Sequence, residues 1–306
     1  MGKLDTVSKQ YFGKSDAFAD VFNYLLFDGR QVVKPGELTE LDSNQIAVLF
    51  KDKDLQEIQK QRDVFRLWTA MENDHAIMVL FGVEIQGTVH YAMPVKDGLY
   101  DFISYDDQIS EIASHNRVKG VELRPGGEYL YGFRKEDRIK PVVTATVYVG
   151  AEPWDGPLKL SDIMEEGSRE YLVNDYDLCL ISAPDLPEEA FGKFTTELGD
   201  VMRFVKHQKE DVDKLIEQTN HRIYSPEAAA FVKEATNMDL DFEVKNGGVD
   251  MCEALERRDK KKEVTGAING MRIAGMSEND IISKIMEAYN VTKDYVVALL
   301  SPQVTV

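Results

Sequence analysis

The sequence lacks the features that several large protein classes require. It has only two cysteines, Cys179 and Cys252, and neither belongs to a CxxC motif, so we expect neither a disulfide framework nor a zinc site. No apolar run approaches the roughly 18 residues of a membrane span. The opening stretch MGKLDTVSKQ lacks the apolar core of a secretory signal. We therefore expect a cytoplasmic protein that does not enter the membrane.

Positive charge is also scarce. Lysine and arginine number 36 against 54 acidic residues, which gives a formal net charge of −18. Proteins that coat nucleic acid indiscriminately neutralise many phosphates, so this composition argues against that class. It leaves room for a local basic groove, because eight basic residues gather in the first half of the chain. These are Arg62, Arg66, Lys119, Arg124, Arg134, Lys135, Arg138 and Lys140.

The overall amino-acid composition is typical of a soluble globular protein. The 306 residues are 43% hydrophobic and 29% charged, enough for one large domain or two. Residues 1–205 alternate helical and strand-like segments, whereas residues 206–306 show helical periodicity almost throughout. We predict an α/β domain followed by a helical C-terminal region. Neither region contains a phosphate loop, a nucleophile elbow or a dinucleotide fingerprint.

The first strongly amphipathic segment is SDAFADVFNYLLF. Its apolar residues recur at helical spacing, with Ser15 as the expected N-cap and Asp28-Gly29 as the end of the helix. Its polar side carries Asp16, Asp20 and Asn23. For Asp16, interaction with the helix dipole is an equally good explanation, and a solvated face is one for Asp20 and Asn23.

Two strand-like runs, DVFRLWTAM and HAIMVLFGVEIQ, flank a short polar turn and predict a β-hairpin. If Asn73 and Asp74 form a two-residue turn, the numbers of every cross-strand pair sum to 147. That register sets Asp63 opposite Glu84, with their Cβ atoms about 5 Å apart. Because side chains alternate along a strand, Gln86 shares the face of Glu84.

Two like charges in this position repel each other unless a cation lies between them. Mg²⁺ is bound by one or two carboxylates, keeps several waters and accepts phosphate oxygens as further ligands. Asp63, Glu84 and Gln86 therefore predict a site for magnesium or another divalent cation, such as manganese or calcium. The alternative is that both acids are rim residues that make ordinary hydrogen bonds.

The remaining segments continue the α/β pattern. We predict a helix that begins at Pro94 and carries Lys96, Tyr100 and Tyr105, then strands in KPVVTATVYVG and DYDLCLISA. The exposed edge of a packing helix is nearly as good an explanation for Lys96 and the two tyrosines as phosphate contact.

The order of these segments resembles a known family. The residues that carry the resemblance are the first helix, Asp63, Glu84-Ile85-Gln86, MPVKDGLYDFISY, PVVTATVYVGAEPW and DYDLCLISAPDL. Together they are similar to the Rpn family of recombination-promoting nucleases, also described as YhgA-like transposases, within the PD-(D/E)XK nuclease superfamily. The resemblance covers residues 10–205. It implies a restriction-endonuclease-like αβββαβ core and metal-dependent endonucleolytic cleavage of DNA, linked to recombination or mobile elements.

When the family's motif is carried over position by position, the resemblance implies that Asp63 and Glu84 bind the metal. It also implies that Gln86 is the last catalytic residue of the motif. Asp16 and Asp20 compete for the acidic position on the first helix. Many nucleases of the superfamily have lysine where this chain has Gln86, although the Rpn family favours glutamine. An amide orients a water but places no positive charge beside the phosphate, so we expect Lys96 to supply that charge.

Three further residues are candidate DNA contacts, namely Arg62, Arg66 and Tyr100. The tail GMSENDIISKIMEAYNVTKDYVVALL predicts two short helices capped by Ser277 and Thr292, with Ile281, Ile282, Ile285 and Met286 facing inward. Its second helix has no arginine for a base edge, so it is a candidate homodimer surface at least as much as a DNA reader. A catalytically inactive DNA- or protein-binding module, or an accessory protein of mobile elements, remains the alternative function.

Overall fold

The computed structural model describes residues 2–42, 44–51, 54–72, 75–172, 174–210, 212–219 and 223–300. The chain is a mixed α/β protein that divides into two compact units. The first unit contains residues 1–209 and 227–237, and the second contains residues 210–226 and 238–306. The boundary expected after residue 205 lies near the first of these divisions, but residues 227–237 belong with the α/β unit.

The first unit is built on a five-stranded sheet with helices on both faces. Its elements are α1 (Lys3–Phe12), α2 (Ser15–Phe27), β1 (Leu38–Glu40), β2 (Asn44–Lys51), β3 (Asp54–Gln61), β4 (Val64–Glu72), β5 (His75–Gln86), α3 (Met93–Val118), α4 (Gly127–Tyr131), β6 (Val142–Tyr148), β7 (Cys179–Ser182), α5 (Glu188–Phe191) and α6 (Leu198–Lys206). Among the described strands, β2 and β3 pair with each other as a separate two-stranded antiparallel ribbon.

The sheet has the strand order β1-β4-β5-β6-β7. Strands β1, β4 and β5 are antiparallel neighbours, whereas β5, β6 and β7 run parallel. The predicted hairpin register is confirmed, because Val64 pairs with Val83 and Glu72 pairs with His75. The turn residues Asn73 and Asp74 lie outside the described residues.

Strand β5 presents different chemistry to the two faces of the sheet. Phe81 and Val83 are fully buried, and the Phe81 ring stacks on Phe22 of α2 with a centroid distance of 4.0 Å. Gly82 and Glu84 point to the other face, which α3 covers. A Cβ atom on Gly82 would lie 2.6 Å from Cδ of Arg62. Glycine at this position therefore lets an arginine side chain cross the strand.

Helix α2 ends as expected, since Asp28 adopts the left-handed conformation with φ of 54°. The predicted N-cap is wrong: Ser15 is the first helical residue and Lys14 occupies the cap position. The Ser15 hydroxyl instead accepts a hydrogen bond from the Arg66 guanidinium.

The chain continues with α7 (Val212–Thr219) and β8 (Ile223–Tyr224), then with α8 (Pro226–Thr236), most of which belongs to the first unit. The second unit also contains β9 (Val249–Asp250), α9 (Met251–Ile273), α10 (Glu278–Tyr289) and α11 (Lys293–Leu300). Helices α9 to α11 share a small apolar core of Val264, Ile268, Ile281, Ile285, Val296 and Leu300.

The two predicted caps in the tail are confirmed. The Ser277 and Thr292 hydroxyls accept hydrogen bonds from the backbone N–H groups of Asp280 and Tyr295. Ile281 and Ile285 are buried as expected, whereas Met286 is exposed. Among the described residues, none of the helices is both long and apolar enough to cross a membrane.

Candidate functional site

A cleft of about 550 Å³ opens at the carboxyl end of β5. It is lined by residues from α1, from the segment before β4, from β5 and from the first turn of α3. These residues are Leu4, Asp5, Lys9, Asp63, Glu84, Ile85, Gln86, Gly87 and Lys96. The cleft thus brings together Asp63, Glu84, Gln86 and Lys96, the four residues predicted from the sequence to be catalytic.

Asp63 lies one residue before β4, at the end of the hairpin ladder. Its Oδ2 atom accepts a hydrogen bond of 2.8 Å from the backbone N–H of Ile85. Burial raises the pKa of the Asp63 carboxyl, and the Ile85 N–H and the Lys96 charge lower it in part. The neighbouring strand therefore fixes the direction of this carboxylate.

Glu84 is the most deeply buried acid of the cleft, with 3% of its side chain exposed. Its Oε2 atom accepts a hydrogen bond of 2.7 Å from Nζ of Lys96, which is itself 27% exposed. Burial raises the pKa of Glu84 to about 7, with a further increase from the Asp63 charge that the Lys96 charge opposes. The buried Oε1 atom of Glu84 accepts no hydrogen bond from the described residues.

A buried polar layer between α3 and β6 supports this arrangement. Asp97 Oδ2 accepts a hydrogen bond of 2.6 Å from the Thr146 hydroxyl, and burial raises the pKa of Asp97 to about 8. One turn further along α3, Asp101 accepts hydrogen bonds from Thr144 at 2.6 Å and from Arg62 at 2.9 Å. Buried acids on adjacent turns of α3 therefore bind the two threonines of β6 that pair with Glu84 and Gly82 of β5.

The side chains of all three candidate DNA contacts are buried. Arg62 forms an ion pair with Asp101 and a hydrogen bond with Ser104. Arg66 donates to the Gly13 carbonyl and to Ser15 at the junction of α1 and α2. The Tyr100 ring packs against the Arg62 guanidinium, and the Arg62 Cζ atom lies 5.2 Å from the centre of this ring. None of them presents a surface to a phosphate.

Neither acid of α2 lines the cleft. Asp16 is exposed and accepts a hydrogen bond from the backbone N–H of Ala17. Asp20 is buried and accepts hydrogen bonds from the backbone N–H groups and hydroxyls of Thr195 and Thr196. The expectation of a solvated face at Asp20 is therefore wrong, and its role is to hold the segment that precedes α6.

Two cleft residues, Asp5 and Lys9, were not singled out from the sequence. Both belong to α1, whose inward stripe of Ser8, Tyr11 and Phe12 is buried. Recurrence of Leu4, Ser8, Tyr11 and Phe12 at helical spacing is the signal that predicts this helix. The Asp5 charge raises the pKa of Asp63, and the Lys9 charge lowers it.

No protein-family model, curated protein or solved structure matches this chain.

The cleft fits a single hard cation better than a larger metal centre. Within the part of the chain that the structure describes, no three His, Cys, Asp or Glu side chains converge to hold a metal ion. Magnesium needs only one or two protein carboxylates. Asp63 and Glu84 supply two, and Glu84 Oε1 accepts no hydrogen bond from the residues that the structure describes. The donor set is all oxygen, which suits magnesium, manganese or calcium.

Proposed function

We propose that this protein is a divalent-metal-dependent DNA endonuclease whose active site is the cleft at the end of β5. The observation that carries the proposal is the presence of Asp63 and Glu84 in one cleft, with a buried Glu84 oxygen that has no hydrogen-bond donor among the described residues. A buried acceptor of this kind costs about 1–3 kcal/mol unless a partner satisfies it. A bound cation is a partner that also makes two neighbouring carboxylates compatible.

The order of elements also supports the proposal. Helix α2, strands β1, β4 and β5, helix α3 and strand β6 occur in the order that the resemblance to the PD-(D/E)XK superfamily implies for an αβββαβ core, with the β2–β3 ribbon inserted before β4 and α4 inserted before β6. The two proposed metal ligands lie at the base of the β4–β5 hairpin, and Lys96 follows on the next helix. We propose on this basis that the sheet is a restriction-endonuclease-like core.

The charges of the cleft also support a metal-dependent nuclease. The cleft is lined by three acids (Asp5, Asp63 and Glu84) and two lysines (Lys9 and Lys96), so its formal charge is −1 when all are ionised. One divalent cation changes that charge to +1. An anionic phosphodiester is repelled by the first state and attracted by the second, so substrate affinity is expected to depend on the metal.

The residues of the cleft have distinct roles in this proposal. Asp63, oriented by the Ile85 N–H, and Glu84, oriented by Lys96, are the metal ligands. Asp63 and Glu84 would hold the cation, which when bound would supply Lewis-acid polarisation of the phosphate and a water of lowered pKa. The Gln86 amide orients water or a phosphate oxygen. Lys96 adds positive charge beside the phosphate, the charge that lysine supplies in place of Gln86 in many related enzymes.

A supercoiled-plasmid nicking assay tests the proposal. Wild type should nick the plasmid with Mg²⁺ or Mn²⁺ and should not with EDTA. Asp63→Asn should slow nicking by about 100-fold or more, because loss of one catalytic electrostatic contact typically costs that much. Asp106→Asn removes an exposed carboxylate of α3 that lies outside the cleft and should nick at the wild-type rate. Equal nicking by wild type and Asp63→Asn would assign the activity to a contaminant.

A second candidate is a nuclease-like domain that binds DNA or protein without cutting it. The Lys96–Glu84 ion pair favours this alternative, because the ammonium group already satisfies one oxygen and the charge of Glu84. The plasmid assay separates the two candidates when combined with DNA binding. A binding module retards DNA in EDTA and in Mg²⁺ alike and leaves the plasmid supercoiled in every metal.

A further inference from the structure

The connection between α3 and β6 is unusually long. We call residues 117–140 the basic loop; it runs from the last turn of α3, through α4, to the residue before Pro141. Most connections between elements of compact domains have about 4–6 residues, and this one is long enough to contain the short helix α4. Hydrogen bonds of its own order the basic loop. An ordered connection of this length is more consistent with a functional segment than with a flexible linker.

Side chains at both ends hold the basic loop in one conformation. Asn116 donates to the Gly132 carbonyl at 2.9 Å and to Asp137 at 2.7 Å. Arg117 donates to the Leu130 carbonyl at 3.0 Å, and the Arg134 guanidinium donates to Asp137 Oδ1 at 2.6 Å. These contacts fix the position of α4 relative to the end of α3.

The basic loop is positive within a strongly negative chain. It contains seven lysines and arginines and four acids, a formal charge of +3, whereas the whole chain carries −18. Two of the acids, Glu128 and Asp137, have only 14% and 7% of their side chains exposed. Both accept hydrogen bonds within the loop, so the exposed charge is mainly cationic.

Three consecutive large side chains of α4 project into solvent, and Arg117 donates a hydrogen bond to the backbone carbonyl of the middle one, Leu130. Tyr129, Leu130 and Tyr131 are 74%, 65% and 68% exposed. Two open grooves flank Arg117: one of about 640 Å³ includes Tyr129 and Leu130, and the other of about 470 Å³ includes Val118 and Tyr131. Each tyrosine therefore lies in a groove that shares the same arginine.

We propose that the basic loop binds single-stranded nucleic acid. Sites for single strands combine a positive groove that follows the phosphates with aromatic rings on which unpaired bases stack. Arg117, which lines both grooves, and the net positive charge of the rest of the loop supply the first feature, and Tyr129 and Tyr131 supply the second. A duplex keeps its bases stacked on each other, so it uses only the cations.

The basic loop is a site separate from the cleft. Lys96 lies in the first turn of α3 and Val118 in its last, which puts them about 33 Å apart along the helix at about 1.5 Å per residue. The inference goes beyond the proposed cleavage, because a strand binds the basic loop whether or not the cleft cuts DNA.

Fluorescence anisotropy of a labelled oligothymidylate of about 12 nucleotides tests the proposal. The full chain is titrated in EDTA, so that binding is measured without cleavage. Replacing both tyrosines (Tyr129→Ala with Tyr131→Ala) should weaken binding at least roughly tenfold, because each stacked base contributes substantially. Tyr171→Ala removes an equally exposed tyrosine, at 76%, elsewhere in the first unit and should bind like wild type.

A charge reversal tests the phosphate contacts. Lys135→Glu should weaken binding and reduce the salt dependence by about one counterion. Lys34→Glu alters a lysine that is 70% exposed outside the loop and should change neither quantity. Photo-crosslinking of wild type to an oligonucleotide with 5-iodouridine should label Tyr129 or Tyr131, and this readout does not depend on how well a variant folds.

Several results would overturn the proposal. They are failure of wild type to bind the oligonucleotide, unchanged binding by the double tyrosine variant, and crosslinks confined to other segments. Displacement by polyglutamate as effective as displacement by unlabelled oligonucleotide would assign the surface to an acidic protein partner. Equal affinity for duplex and single strand would reject stacking. None of these results bears on nicking by the cleft.

Discussion

Replacing Glu84 with glutamine is expected to stabilise the first unit at alkaline pH. Burial raises the pKa of the Glu84 carboxyl to about 7 from an ordinary value of 4.5. Ionisation therefore destabilises the folded state. Glutamine has nearly the same shape, carries no charge and still offers a carbonyl oxygen to Lys96, so the variant removes the charge with little change in packing.

The magnitude follows from the two pKa values. Because the folded-state pKa exceeds the unfolded value, the folded state binds the proton more tightly. This contribution to stability is present below pH 4.5 and is lost as the pH rises to about 7. At about 1.4 kcal/mol per pH unit, the total is about 3 kcal/mol. The free energy of unfolding of Glu84→Gln should exceed that of wild type by about 3 kcal/mol at pH 8.5, and by about 1 kcal/mol or less at pH 5.

Tryptophan fluorescence in urea gives the required free energies. Both tryptophans, Trp68 and Trp154, belong to the first unit, so the signal reports on the unit that contains the cleft. The titration is done in EDTA. Glu111→Gln, at an exposed position of α3, should unfold within about 0.5 kcal/mol of wild type at both pH values. A Glu84→Gln protein that is less stable than wild type at pH 8.5 would refute the reasoning.

Three other substitutions test the support of the cleft by the same urea assay. Asp101→Asn should lower the free energy of unfolding by about 3–5 kcal/mol, because it leaves the Arg62 charge buried without its partner. Gly82→Ala should lower the free energy of unfolding by about 1–3 kcal/mol, because the added Cβ would lie 2.6 Å from Cδ of Arg62. Gly36→Ala is the control and should lower it far less, because a Cβ there would have no atom within 4 Å. Asp20→Asn should cost about 1–3 kcal/mol, because it removes an acceptor for Thr195 and Thr196. Unchanged unfolding midpoints would show that these contacts contribute little.

The hairpin was predictable because alternation and a short turn leave little freedom. Once Val83 and Ile85 face the core, Glu84 and Gln86 face the other side, and a two-residue connection fixes which residues of β4 lie opposite. The observed pairing of Phe65 with Gly82 follows directly. The placement of Asp63 near Glu84 therefore required only local information.

The burial of Arg62 was not predictable in the same way. Its environment is supplied by Asp101 and Ser104 of α3 and by Thr144 of β6, which are distant in sequence. From the sequence, an arginine next to a candidate metal-ligating aspartate is equally consistent with a phosphate contact, and only the packing of α3 onto the sheet shows that Arg62 is buried. Gly82 was the available hint, because glycine inside an apolar strand often marks close approach of another group.

The ion pair between Lys96 and Glu84 was not predictable from the sequence either. Two acids at the base of a hairpin require a neutralising cation, and the sequence leaves open whether this is a metal ion or an ammonium group. In the structure, Lys96 reaches Glu84 from the first turn of α3. The proposed metal site therefore rests on the remaining acceptor of Glu84, Oε1, and not on the pairing of the acids alone.

Binding of Mn²⁺ measured by electron paramagnetic resonance tests the central claim most directly, because it counts the cation that Asp63 and Glu84 are proposed to share. The account predicts one ion per chain in wild type, with at least about tenfold weaker binding in Asp63→Asn and Glu84→Gln, and release of protons on binding near pH 6.5, where Glu84 is partly protonated. Absence of a bound ion, or equal affinity in wild type and both variants, would contradict it.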